Sequence, residues 1–217
     1  MSHNENDITI LTPPLTESDV RGLTLGRQVY LSGTVHVARD LAHKRIAQWH
    51  GEGKPLPFDL AGSAVFHAGP TVRPDGDSHE IINIGPTTSA RMNAQTPLVI
   101  GMGVRAIVGK GAMDAPTSEA MARDGCVFFA AAPGCAMIHA KHIRRLIDVH
   151  WLDLGTTEAV WMLDVQQWGP LTVAMDAAGG DLFEDVKRRA RERMQRLLAE
   201  ASTDADAGEW DTEMLMD

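Results

Sequence analysis

The chain has 217 residues, 44% of them hydrophobic, and a formal net charge of −9. That length suits one domain with a substantial core, and no apolar run nears the roughly 20 residues that span a bilayer. The acid excess argues against a nucleic-acid partner, which meets a basic face, but leaves room for a local cluster of cations that grips a small anion.

Met1-Ser2-His3-Asn4-Glu5-Asn6-Asp7 lacks the positive end and apolar stretch of a signal peptide, so a cytoplasmic protein is expected. Residues 8–11 read as a short strand closed by Pro13-Pro14, and 28–32 as a second strand. A helix over 37–49 follows, with Leu41, Ala42, Ile46 and Trp49 on its apolar face. The strand at 64–67 stops at Gly69-Pro70. Residues 71–77 have hairpin turn chemistry and lead into a strand at 80–84. A helix from about Ser89 is cut short by Pro97.

Strands are expected at 104–108 and 127–131, separated by a helix that Pro116-Thr117-Ser118-Glu119 opens and that runs to Arg123. Residues 139–148 read as helix and 149–154 as extended, before strands at 159–165 and 171–175. The clearest helix spans 182–201, with Leu182, Val186, Ala190, Met194, Leu197 and Leu198 along one face. Strands alternating with helices, and a hairpin among them, predict an α/β domain with a mixed sheet. One domain over 1–200 and an acidic tail over 201–217 are expected.

The stretch Gly85-Pro86-Thr87-Thr88-Ser89-Ala90-Arg91-Met92 packs a rigid turn, adjacent hydroxyls and a guanidinium directly after an apolar run. It reads as a strand-to-helix junction with hydroxyls at N-cap positions and outward N–H groups that favour an anion. Arg91 then lies about one turn from Thr87, on the same side. Two other segments share this character: Gly33-Thr34-Val35-His36-Val37-Ala38-Arg39-Asp40 and Gly109-Lys110-Gly111-Ala112-Met113. Each follows a strand-like run and contributes a cation beside small residues. Three cations at strand ends suit a doubly charged ligand, and open α/β sheets gather ligands there.

These stretches, in this order, resemble the β subunit, or C-terminal half, of the iron–sulfur hydro-lyases: class I fumarate hydratase and L(+)-tartrate dehydratase. Further matching segments are Phe66-His67-Ala68-Gly69-Pro70, Ala132-Pro133-Gly134-Cys135-Ala136 and Val149-His150-Trp151, so the likeness covers roughly residues 8–198. The resemblance implies a three-layer β/β/α swivelling domain and a hydro-lyase that hydrates or dehydrates a small dicarboxylic acid. It implies a partner α subunit carrying a [4Fe–4S] cluster with one open iron, in an α2β2 assembly. It also implies that Arg39, Arg91 and Lys110 bind the carboxylates, that Thr87 is the catalytic base, and that Lys110 acts with it in catalysis. His67 and Asp40 fall in family motifs near the site. No metal ligand is expected in this chain itself.

The chain departs from the family pattern where Gly-Lys-Gly is followed by Ala112, and where Asp176-Ala177-Ala178-Gly179-Gly180 replaces an Asp-x-His-Gly-Asn run. The second departure leaves open an alternative: a non-catalytic anion-binding or regulatory module that keeps the pocket. The two cysteines, Cys126 and Cys135, are too few for a cluster that needs three, so a cluster has to come from another polypeptide. Of the nine histidines, His36, His43 and His50 recur every seven residues and His139 and His142 lie three apart. A mononuclear metal site wants three or four convergent ligands, so His43 and His142 are read as surface or supporting groups.

Overall fold

A computed structural model describes residues 8–76 and 78–206, with side chains through residue 200. The segment read for a signal peptide and the acidic tail beyond Asp206 lie outside the described residues. Two units are distinguished, one ending at Asp181 and one beginning at Leu182.

The first unit runs β1 (Thr9–Leu11), α1 (Glu17–Arg21), β2 (Gln28–Val37), α2 (Asp40–Gly51) and β3 (Ala64–Phe66). Next come the hairpin β4 (Thr71–Asp75) and β5 (Ser78–Asn83), a 3-10 turn (Ser89–Met92), α3 (Thr96–Gly101) and β6 (Ala106–Gly109). It finishes with α4 (Ala115–Asp124), β7 (Val127–Ala130), α5 (Ala136–Lys141), β8 (Ile143–His150), a 3-10 turn (Leu152–Leu154) and β9 (Val160–Met175).

Seven strands form one mixed sheet in the order β1-β2-β3-β6-β7-β9-β8, and the hairpin forms a second sheet. The pairs β1–β2, β2–β3, β3–β6 and β6–β7 are parallel. Strand β9 runs antiparallel and pairs with β2 as well as with β7 and β8. Strands β2, β3, β6, β7 and β9 therefore close into a ring, which removes their free edges. A single 16-residue strand can do this because it is bulged. Its first half faces the second half of β2 (Val37↔Trp161 through Gly33↔Val165), and the register then shifts. Beyond the shift Val29 faces Leu171 and Phe129 faces Val173. Gln167, at φ 44°, marks the irregular stretch between the halves; an extra residue there bends the strand.

The alternation of each strand sorts its side chains between two apolar layers. Val35, Val37, Ala64, Phe66, Ala106, Val108, Val127, Phe129, Trp161, Leu163 and Val173 pack together inside the ring. Val65, Ile107 and Phe128 are equally buried on the opposite face, the face on which α2, α3 and α4 bury Ile46, Ile100 and Met121. That double burial explains the continuous apolar runs of β3, β6 and β7.

The α/β class and mixed sheet match the expectation, as do the helix near residue 40, the hairpin and the short strands β3, β6 and β7. Three local expectations are corrected. Residues 139–148 are not a helix: α5 stops at Lys141 and β8 begins at Ile143. Register shifts between Ile143 and Arg145 and between Leu146 and Asp148 break the alternation of β8, which leaves Ile143, Leu146 and Ile147 at helix-like spacing. Residues 159–165 and 171–175 are two halves of one bulged strand. Pro97 opens α3 near its first turn, where the missing N–H costs nothing, as well as marking the end of the preceding turn.

The second unit is α6 (Leu182–Asp206), whose surface carries the ion pairs Lys187–Glu184, Arg188–Asp185 and Arg188–Glu192. No helix among the described residues is long and apolar enough to cross a membrane.

Phe129 is fully buried inside the ring, so Phe129→Ala is expected to cost about 3–5 kcal/mol in denaturant titration. A loss below about 1 kcal/mol would contradict this packing.

Candidate active site

The parallel strands β2, β3 and β6 all deliver polar residues at their carboxyl ends. Arg39 follows β2 and is the extended N-cap of α2, so its carbonyl takes the first helical N–H, from His43, at 2.9 Å. Asp40 opens the helix, where a carboxylate is favoured by the helix dipole. His67 follows β3, and Lys110 follows β6.

Thr87 reaches the same place by a different route. The loop after β5 lies between the ends of β3 and β6, with an antiparallel bridge from Pro86 to Ala68 and a parallel one from Thr88 to Lys110. The Thr87 N–H donates to the His67 carbonyl at 2.7 Å, and the Ser89 N–H to the Lys110 carbonyl at 3.0 Å. Glycine makes the approach possible: a Cβ on Gly109 would lie 1.9 Å from Ser89 Oγ. On the other side, a Cβ on Gly69 would lie 2.4 Å from the Thr157 carbonyl and 3.0 Å from Arg39 Cδ.

These bridges correct one expectation. The hydroxyls of Thr87-Thr88-Ser89 do not cap a helix: Thr88 precedes a 3-10 turn and makes no side-chain cap hydrogen bond. The Thr87 and Ser89 N–H groups are taken by carbonyls of neighbouring strand ends, so they are not open to an anion. The loop is held as an extra piece of sheet. The expected proximity of Arg91 and Thr87 does hold, with Arg91 Nη1 donating to Thr87 Oγ1 at 3.1 Å.

One carboxylate joins the two arginines. Arg91 Nε donates to Asp40 Oδ1 at 2.9 Å and its Nη2 donates to Oδ2. Arg39 Nε donates to the same Oδ2 at 3.2 Å. Burial on its own would raise the Asp40 carboxyl, but the hydrogen bonds from Arg91 and Arg39 outweigh it and hold the group below the usual carboxylate range. The cluster opens to solvent unevenly, with side-chain exposures of 46% for Arg91, 22% for Arg39 and 21% for Asp40.

Among the described residues, Arg39 makes its side-chain hydrogen bond and its closest ion-pair contacts through Nε, and Arg39 Nη1 and Nη2 and the Lys110 ammonium make no protein hydrogen bond. Unused cationic donors of this kind suit an anion. The structure thus brings Arg39, Asp40, Thr87 and Arg91 into direct contact, with Lys110 and His67 bonded through their backbones to the same loop.

Glu158 belongs to this cluster and was not singled out in the sequence. Its Oε1 pairs with Arg39 Nε at 2.9 Å and its Oε2 accepts the Leu41 N–H at 2.8 Å, fixing the arginine and the helix start together. The separation of 117 residues from Leu41 hides it, and no motif in its neighbourhood marks it. Of the two readings of His43, surface or supporting, burial removes the first: it is fully buried, with Nδ1 on the Arg39 carbonyl.

Neither cysteine suits a cluster. Cys126 is buried, with its thiol pushed up by desolvation, and Cys135 lies at the start of α5. Among the described residues, no group of three or more His, Cys, Asp and Glu is placed to hold a metal ion. The segment Asp176-Ala177-Ala178-Gly179-Gly180 is a tight turn closed by Asp176 Oδ1, which accepts the N–H groups of Ala178 (3.0 Å) and Gly180 (2.8 Å). Its neighbour Met175 pairs with Phe128, near the start of β7, so the turn lies at the opposite end of the parallel strands from Arg39, His67 and Lys110.

A family model described as the fumarase C-terminus matches residues 1–186. An L(+)-tartrate dehydratase subunit beta of Escherichia coli K12 is 36% identical over 192 residues, covering 88% of this chain and 94% of that one. A Methanocaldococcus jannaschii protein provisionally given the same name is 41% identical over 186 residues, covering 85% and 95%. A Geobacillus stearothermophilus protein provisionally named a class I fumarate hydratase is 32% identical over 196 residues, which is 89% of this chain and 37% of that one.

Three buried histidines make stability depend on pH. Desolvation brings His36 and His43 down from 6.5 to about 4 and His67 well below 6.5. The unfolded chain binds protons near pH 6.5 that the folded chain refuses, so stability is fully present above that value and falls as pH drops towards 4. The melting temperature is expected to be lower at about pH 5 than at about pH 7, with a shallower dependence in His36→Phe. A flat or inverted profile over that window would contradict the burial of these rings.

Proposed function

Because the chain belongs to the fumarase C-terminus family, we propose that it is the β subunit of a hydro-lyase that reversibly removes water from a 2-hydroxy dicarboxylic acid. The substrate class is that of malate or tartrate, and the partner is an α subunit, in an α2β2 assembly, that carries a [4Fe–4S] cluster. The cysteines of this chain do not fit such a cluster, which is therefore assigned to the partner. The reading rests above all on one observation: Asp40 gathers two arginines beside Thr87 while, among the described residues, the Arg39 Nη groups and the Lys110 ammonium make no protein hydrogen bond.

The residues then divide the work. Arg39 and Lys110 offer free donors to the carboxylates of the diacid, and Arg91 closes the same wall. Charged hydrogen bonds of this kind contribute about 1.5–3 kcal/mol each. They strengthen as the C–H proton leaves and charge grows on the adjoining carboxylate, which is where electrostatic catalysis acts. Thr87, as its alkoxide, takes that proton. The C–O bond of the neighbouring carbon breaks to release hydroxide, for which the open iron of the partner's cluster would serve as Lewis acid. A threonine hydroxyl is an unpromising base in water, because its alkoxide is scarce near neutral pH. Here its oxygen already accepts from Arg91 Nη1 at 3.1 Å, so the alkoxide forms against a guanidinium that Asp40 joins to a second arginine.

Thr87→Ala is expected to lower turnover by a factor on the order of 10²–10⁴, the usual worth of a positioned base, with KM nearly unchanged. Arg91→Ala is expected to raise KM and lower kcat together, because it both binds and activates. Both are measured as hydration of a panel of unsaturated diacids by the co-expressed subunits. Near-normal turnover in Thr87→Ala would remove it from the mechanism. Diacid binding without any hydration would instead favour a regulatory module.

A further inference from the structure

His43, in the first turn of α2, and His67, the residue after β3, are both 0% exposed. Their rings meet edge to face at 77°, with centroids 4.9 Å apart. The reaction described above uses neither of them. Among the described residues, His43 Nε2 and both ring nitrogens of His67 have no hydrogen-bond partner. A phenylalanine of similar size would fill either position without that desolvation cost, so packing alone does not account for two imidazoles.

Their connections do. His43 Nδ1 lies 3.1 Å from the Arg39 carbonyl. A carbonyl only accepts, so Nδ1 carries the proton and Nε2 is left with its lone pair. The same carbonyl takes the His43 N–H at 2.9 Å. The His67 carbonyl accepts the Thr87 N–H at 2.7 Å, and the His67 N–H donates to Val108, two residues before Lys110, at 2.8 Å. The ring contact therefore lies between the peptide that carries Arg39 and the backbone that holds Thr87 and Lys110.

We propose that the His43–His67 pair consists of positioning residues that fix the spacing between the Arg39 guanidinium and the Thr87 hydroxyl, a role that rests on the hydro-lyase reading of this site. His43 acts on Arg39 through its Nδ1–H, and His67 sets the backbone against which Thr87 is hung. The Asp40 carboxylate favours the charged form of His43. Burial outweighs it and keeps the rings neutral, so the pair adds no charge beneath a cluster that is already cationic.

The test uses substitutions for which packing and hydrogen bonding make opposite predictions. His43→Phe fills the space without a donor, whereas His43→Asn restores an N–H near the Nδ1 position and leaves a void. In the assembled enzyme, His43→Phe is expected to raise KM for the diacid about tenfold with kcat within about threefold, and His43→Asn to recover most of that loss. An unchanged KM in His43→Phe, or poorer kinetics in His43→Asn than in His43→Phe, would overturn the proposal. Long-range proton–nitrogen NMR on the unsubstituted full chain provides a second readout that does not depend on any variant folding. It is expected to find His43 neutral and protonated at Nδ1 down to about pH 5; an Nε2–H tautomer would overturn the proposal. If the unsubstituted assembly hydrates no diacid, the hydro-lyase reading fails, and the tautomer then decides the geometry of the pair by itself.

Discussion

The Asp40 carboxylate is the interaction on which the rest of this site depends. Arg39 and Arg91 come from positions 52 apart in number and carry the same charge, so bringing them together is unfavourable unless an anion lies between them. At an effective dielectric constant near 20, unit charges a few ångströms apart interact by roughly 3–4 kcal/mol. Exposure of Arg91 and Asp40 reduces that figure considerably. Asp40 replaces the repulsion with two attractions and is itself placed at the positive end of α2. The carboxylate occupies Nε of both arginines and leaves the Nη edge of Arg39 for something else. A site arranged this way is preorganised: its two arginines are held in place by the fold itself, so the ordering cost of bringing them together has been met in folding.

The closed ring of strands supplies the frame. Because β9 pairs with both β2 and β7, the ends of β2, β3 and β6 are fixed relative to one another. The loop carrying Thr87 is bridged to two of those ends, with Gly109 and Gly69 allowing contacts that any Cβ would block. Side chains that meet in the cluster thus hang from backbone that is hydrogen-bonded on both sides. Precision of this kind matters for catalysis, since misplacement by about 1 Å can cost 100-fold in rate.

Much of this was legible in the sequence. Apolar runs bounded by Gly and Pro marked β3, β6 and β7, and the chemistry of Gly85 through Met92 marked the loop that carries Thr87 and Arg91. Arg39 and Arg91, both picked out beside strand-like runs, meet at Asp40, whereas Lys110 joins the same loop through its backbone. What stayed hidden depended on long-range pairing. Glu158 joins Arg39 across more than half of the chain, and no local pattern announces that contact. The bulges of β8 and β9 shifted their apolar spacing away from a period of two, so one strand read as a helix and another as two strands. The loop hydroxyls looked like helix caps because their true partners, the carbonyls of His67 and Lys110, lie on other strands. The departure at Ala177 through Gly180 raised doubt about catalysis, but its turn sits at the far end of the sheet from the cationic cluster.

A crystal structure of the assembled subunits with a saturated, unreactive four-carbon diacid is the most direct test. The account predicts one carboxylate on the Nη edge of Arg39 and the Lys110 ammonium, with the chain of the ligand passing within hydrogen-bond reach of Thr87 Oγ1. A diacid bound elsewhere, with Arg39, Arg91 and Lys110 contacting nothing but the protein, would contradict it.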